Sequence, residues 1–460
     1  MSAHPDERER LEQLEADVAE PTGDVVRRGG TFESFRFRDF SLFWAGAFVS
    51  NTGSWMQNYA LAIVVYGLRR SEFDSGMVNF VSGIPVLFLA LPAGALADKV
   101  DKRRLLIVSQ FVMLLQASAL ALLYTSGHLT PTNAIPSLLW IGGLGLLGGV
   151  MSALTFPAWQ SLLPDLVPRD ALLNAIALNS AQFQSARLLG PLAAAALVLA
   201  GAGMGEIFWV NAGSFLFVIA ALWAIEPHAS HAGEGAHGAA AGFSAKHDGR
   251  AEGAPRESSW HTLTAGLRYA RENPFIGVLV GSTAVMTIFG LPYMMLLPAY
   301  ADKVLGGGAA ETAYLMAANG LGAVVGALIV ASLPRNTRRE RIIPGTLSAF
   351  ALLLIAFSLS RVMWLSLVIS ALAGACVLTV NSLTNTSIQA NVPGRLRGRV
   401  MALFIMAFMG IMPVSSLIFG PIGQVIGPAR AILGGAVVLL GWGVFLMVRP
   451  GLLAGHGARE

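Results

Sequence analysis

The sequence predicts an all-α membrane protein in which twelve transmembrane helices form two six-helix, pseudo-symmetric bundles. Three observations lead there. The chain is 54% hydrophobic and 13% charged, with a mean hydropathy of +0.62, more apolar surface than a water-soluble fold can hide. Its apolar runs repeatedly reach the ~17–25 residues needed to cross the ~30 Å hydrocarbon core of a bilayer. Backbone groups find no water at that depth, so such runs must be helical. One long polar segment then parts the runs into two sets of six.

The first six runs fall at about 40–67, 76–97, 105–126, 137–156, 175–202 and 207–225, inside an N-terminal bundle at 37–226. The second six fall at about 275–299, 310–333, 342–360, 364–388, 399–420 and 428–448, inside a C-terminal bundle at 260–448. Between them, residues 227–259 are rich in Gly, Ala and His and poor in large apolar side chains. Such a segment buries too little surface to order itself and reads as a disordered cytoplasmic linker. Residues 1–36 and 449–460 read as cytoplasmic tails. The opening MSAHPDERERLEQLEADVAE lacks the apolar core of a cleavable signal peptide. The single cysteine, Cys376, permits no intramolecular disulfide.

Orientation follows from Lys and Arg. With the N-terminus inside, the inner segments carry 25 basic residues and the outer loops five: Arg69, Arg70, Lys303, Arg361 and Arg430. That bias predicts a multi-pass bacterial inner-membrane protein with both termini cytoplasmic. It also accounts for the sequence pI near 9.4 without a nucleic-acid partner. The halves echo each other as well. GALADKVDKRR at Gly94 has a faded partner in GALIVASLPRNTRR at Gly326, and Gly190-Pro191 is matched by Gly420-Pro421. Shared offsets of this kind indicate two parallel repeats, the design of transporters whose halves rock about a midplane site.

At this point the chain resembles the major facilitator superfamily, from about Phe35 to Met447. The superfamily's signature between spans 2 and 3, G-x-x-x-D-[RK]-x-G-x-[RK]-[RK], stands here as Gly94, Asp98, Lys99, Asp101, Arg103 and Arg104, with Asp101 in place of the second glycine. LNAIALNSAQFQSARLLGP, NAGSFLF and LRGRVMALFIMAFMG are most similar to the branch of enterobactin exporters and related multidrug efflux proteins. The resemblance implies the major facilitator fold and alternating access, with protons as the coupling ion. It also sets the start of span 11, near Arg399, beside Asp98. Gly94, Asp98, Arg103, Arg104 and Arg399 would then latch the halves on the cytoplasmic side in an outward-open state, the carboxylate being favoured by a helix N-terminus. The plain alternative is that the loop's basic residues serve topology alone.

Arg187 is the one basic residue inside a span. A charge at such depth is costly and faces the bundle interior or water. It reads either as the counter-charge for an anionic substrate, as part of the coupling machinery, or as a structural cation satisfied by carbonyls and amides. Asn51, Gln57 and Asn58 of the first span and Gln182 of the fifth are its companion substrate-binding candidates, with Asn381 and Asn385 from the tenth. Gly190 and Pro191 mark a helix bend, since proline removes one helix hydrogen bond. No Asp, Glu or His lies mid-span; Asp39, Asp98, Glu206, Asp302 and Glu311 sit at span edges, so proton coupling rests on the resemblance.

No GxxxxGK[ST] loop and no nucleophile–base–acid set is present, which argues against ATP coupling and against an enzyme. The irregularly spaced His228, His231, His237 and His247 read as part of a tether rather than a metal site, and no cofactor is expected. The expected protein is a monomeric secondary transporter that exports amphiphilic or hydrophobic small molecules. The alternatives are a dedicated exporter of anionic catecholate or carboxylate siderophores, a nutrient uptake permease, and a lipid-handling or scaffold protein without turnover.

Overall fold

The computed structural model describes residues 30, 32–97, 100–168, 170–225, 259–334 and 339–453. Among the described residues the regular structure is helical throughout. The N-terminal half holds α1 (Arg38–Arg69), α2 (Glu72–Ala97), α3 (Lys102–Thr125), α4 (Ala134–Leu162), α5 (Leu172–Leu199) and α6 (Met204–Ala224). A short helix, α7 (Ser259–Glu272), leads into the C-terminal half. There α8 runs over Pro274–Lys303 with a π-helical turn at Met286–Gly290, followed by α9 (Ala309–Ser332), α10 (Arg339–Leu359) and α11 (Met363–Asn391). The last two are α12 (Gly394–Ile405, a π-helical turn at Met406–Gly410, then Met412–Ile426) and α13 (Pro428–Val448).

Nine helices among the described residues, α3, α4, α6 and α8 to α13, are long and apolar enough to cross a membrane. Helices α1, α2 and α5 have 32, 26 and 28 residues and pack among the nine. The expected twelve spans count these three. In α1 and α5 the apolar run is diluted by the same Asn, Gln and Arg residues that sequence reasoning selected for a site.

Helix ends are set by local chemistry. Asp101, which replaces a family glycine, is the N-cap of α3: its side chain accepts from the backbone N–H of Arg104 at 2.9 Å. Arg103 donates to the carbonyls of Leu222 and Trp223 at 2.6 and 2.9 Å, satisfying the last turn of α6. Arg103 therefore works inside the N-terminal half in this structure, not across the halves, because the open carbonyls of α6 lie within its reach. Asn273 caps α8 through Ile276 N–H. Gly427, at φ 87°, turns the chain from α12 into α13, a conformation that favours glycine.

The two halves repeat one packing pattern. In the first, α2 lies on α4, α3 on α6 and α1 on α6; in the second, α9 lies on α11, α10 on α13 and α8 on α13. Across the seam, α2 packs on α12 and α5 on α9, equivalent pairs under exchange of the repeats. Small residues allow the first contact. A Cβ on Gly420 would lie 2.9 Å from the Glu72 carbonyl oxygen and 3.0 Å from Gly76 Cα. Contacts between the halves run from the face that carries Arg70 inwards to mid-depth, with Tyr59 donating to the Ala309 carbonyl at 2.8 Å and Gly410 beside Leu87.

Helix α7 lies almost wholly within the C-terminal bundle expected at 260–448, ahead of its first predicted span at about 275. Its signal is the spacing of Trp260, Leu263, Leu267 and Ala270, one apolar stripe on a helix; Gly266 brings it against the backbone of Arg399. Residues 227–258 of the linker, residues 1–29, 31 and 454–460 of the tails, and Asp98 lie outside the described residues.

Replacing Gly420 by valine should drive α12 off the backbone of α2 and cost about 1–3 kcal/mol as overpacking. Thermal unfolding of the purified protein should show a lower midpoint, and an unchanged midpoint would contradict this packing.

Candidate functional site

The polar residues of the seam meet at mid-depth. Arg187 is 12 residues from the end of α5 at Leu199, about 18 Å along the axis at the 1.5 Å rise of a helix. That is roughly the middle of a 30 Å hydrocarbon core. Two glycines bring the neighbouring helices close enough to hold it. A Cβ on Gly190 would stand 3.0 Å from the Thr52 carbonyl, so α5 crosses α1 closely there. A Cβ on Gly320 would stand 2.8 Å from Leu188 Cα and 3.0 Å from the Arg187 carbonyl, so α9 touches α5 directly.

The guanidinium is held from both halves. Its Nη2 donates to Asn319 Oδ1 at 2.6 Å, and its Cζ lies 5.6 Å from the centroid of the Trp55 ring. Cation–π contacts of this kind are worth about 0.5–2 kcal/mol depending on desolvation. Asn319 is fixed in turn: its Nδ2 donates to Tyr293 OH and, at 3.4 Å, to the Ser370 carbonyl. Its orientation therefore presents oxygen to Arg187. Trp55 stands edge-on to Phe183, centroids 6.1 Å apart. Among the described residues no carboxylate comes within 4.0 Å of Arg187. The cation is hydrogen-bonded but not neutralised.

The other candidates divide into two groups. Asn51 donates to Gln182 Oε1 at 3.3 Å, across the same α1–α5 contact. Gln182 is 1% exposed, and its Nε2 has no hydrogen-bond partner among the described residues. Asn58 is exposed and falls on the stripe of Asn51 and Trp55 at helical spacing. Asn51 and Gln182 share the α1–α5 contact, and Asn58 lies on the α1 stripe that carries Trp55, over whose ring Arg187 sits. Gln57 is apart from them. It donates to Gln116 Oε1 at 3.3 Å and accepts from Asn211 Nδ2 at 2.8 Å, in a buried chain joining α1, α3 and α6. A polar group on that face holds its own bundle together.

Asn385 accepts from Gln389 on its own helix at 2.7 Å; among the described residues Asn381 Nδ2 has no partner and no hydrogen bond links either asparagine to Arg187. Gly190 and Pro191 are buried inside a continuous α5, where the glycine provides the close approach to α1. Asn319, Trp55 and Tyr293 are not among the sequence candidates, because their roles depend on the facing helix. Of the latch residues, Gly94 lies in α2, Arg103 is on the α6 carbonyls, Arg104 closes the Asp101 cap and Arg399 lies in the first turns of α12.

Comparison with known proteins places this arrangement. The profile of the transmembrane secretion effector family matches residues 29–456. A staphyloferrin A transporter of Staphylococcus aureus (strain NCTC 8325 / PS 47) is 25% identical over 379 residues, 82% of this chain and 87% of that protein. The enterobactin exporter EntS of Escherichia coli O1:K1 / APEC is 24% identical over 368 residues, 79% of this chain and 80% of that protein.

Among solved structures, the nucleoside transporter NupG superposes with a TM-score of 0.60 at 10% identity, covering 90% of this chain and all of that one. A bacterial homologue of the human lysosomal transporter Spinster, in an inward-facing and unoccupied conformation, gives 0.60 at 16% identity, covering 90% and 96%. These likenesses establish the fold. The chain belongs to the transmembrane secretion effector family of major facilitator superfamily transporters, and it is a membrane transporter rather than an enzyme.

Proposed function

We propose that the protein exports an amphiphilic small molecule bearing an anionic group, such as a carboxylate or catecholate, by alternating access in antiport with protons. The observation that carries this reading is Arg187. It sits at mid-depth on the seam between the halves, and no carboxylate among the described residues is within 4.0 Å of it. An uncompensated cation at such depth is a standing cost. A substrate anion recovers it through charge-assisted hydrogen bonds, while Trp55 and Phe183 offer apolar contact to the rest of the molecule. Asn58 on the α1 stripe of Trp55, with Asn51 and Gln182 at the α1–α5 contact, would supply further hydrogen-bonding groups.

Export is supported by the names of relatives, one an enterobactin exporter. The excess of basic residues on the inner segments supports cytoplasmic termini in the bacterial inner membrane. The site would then load from the cytoplasm in the conformation described, with the Arg70 face closed. The protein is taken to act as a monomer with the bilayer as its surroundings.

Arg187→Ala should weaken binding of an anionic catecholate or carboxylate siderophore by roughly 10–100-fold, the worth of one hydrogen bond to a charged group. Arg187→Lys should recover only part of it, because lysine lacks the forked donor geometry. Titration calorimetry on purified protein measures both, and unchanged affinity in the alanine variant removes Arg187 from the site. In proteoliposomes, an imposed pH gradient should drive uphill movement of the same compound and collapse with a protonophore. Movement indifferent to the gradient would exclude proton antiport.

A further inference from the structure

We propose that Glu72 and Lys303 form a charged gate that holds the Arg70 face shut, and that this pair separates in every transport cycle. Glu72 begins α2 in the N-terminal half, and its side chain is 0% exposed. Lys303 ends α8 in the C-terminal half, and its Nζ donates to both Glu72 carboxylate oxygens at 2.7 and 2.9 Å. The pair is therefore bidentate, buried on the acid side, and spans the seam.

Its surroundings cross the seam as well. The Glu72 backbone N–H donates to Gln424 Oε1 of α12 at 2.9 Å. Tyr66 of α1 donates to Asp302 Oδ2 of α8 at 2.8 Å, with Arg70 Nη1 3.8 Å from the same oxygen. Four helices, two from each half, thus converge on one rim. Gly423 of α12 packs against the Glu72 side chain, where a Cβ would stand 3.3 Å from Glu72 Cβ. The carboxylate also lies in the first turn of α2, where the helix dipole favours it.

The chemistry makes this contact selective for one state. In the closed rim the carboxylate is out of water and depends on Lys303; in an open rim both ions are hydrated and need no partner. Removing Lys303 therefore penalises the closed form, which keeps an unpaired buried carboxylate, and leaves the open form untouched; removing Glu72 takes away the bridge and leaves Lys303 partly exposed. A surface ion pair would lack this asymmetry, because it is worth little in either state.

The test uses the full-length purified protein with Cys376→Ser and spin labels at two exposed positions on this face, Asn133 before α4 and Val362 before α11. Double electron–electron resonance reads the distance between the halves. The parent should give mainly the short distance. Lys303→Met should raise the ratio of long to short populations by at least ~10-fold, as expected for an unpaired buried charge. Glu72→Gln should move it the same way, and the exchange Glu72→Lys with Lys303→Glu should return most of the population to the short distance. Unchanged distances in both single variants overturn the gate, as does an exchange variant as open as either single one. No substrate is added, so the outcome is independent of the reading of Arg187.

Discussion

A guanidinium in the middle of a membrane protein, hydrogen-bonded but without a carboxylate within 4.0 Å among the described residues, is the constraint on which the seam depends. Arg187 reaches Asn319 in the other half, and Asn319 is oriented by Tyr293 and the Ser370 carbonyl. Those bonds need α9 against α5 and α5 against α1, which Gly320 and Gly190 allow by having no side chain. Leucine at either position would push the helices apart and strand the cation. The glycines are thus part of the electrostatic design, although they carry no charge.

Polar residues are divided between two tasks. The chain from Gln116 through Gln57 to Asn211 lies inside the N-terminal half and satisfies its own members. Amide pairs of this kind fix helix register within that half. The polar groups at the seam instead bridge bodies, at mid-depth through Arg187 and at the rim through Glu72 and Lys303. Because α2 meets α12 and α5 meets α9 in symmetry-related ways, the two repeats can tilt about these contacts with their internal packing intact.

Much of the helical plan was legible in the sequence because bilayer thickness sets run length and polar breaks set the ends. The predicted run at about 207–225 became Met204–Ala224, and that at about 428–448 became Pro428–Val448. Arg187 was legible as a charge in an apolar run. What stayed hidden depends on which face meets which neighbour. Gln57 and Asn58 are adjacent in sequence, yet one is locked in a bundle and the other exposed. In helices apolar on every side, periodicity gives no face to choose. Glu72 was missed because the second run was started at about 76, which left the acid in a turn that reads as solvated; the α8 end and α12 cover it instead.

If the cationic site at Arg187 reads an anion, altering the ligand shows it without touching the protein. The measurement is thermal stabilisation of the purified transporter by a carboxylate siderophore and by its neutral methyl ester, at equal concentration. The acid should raise the unfolding midpoint and the ester do so weakly or not at all, because only the acid brings a negative charge to Arg187. Equal stabilisation by both would contradict that reading.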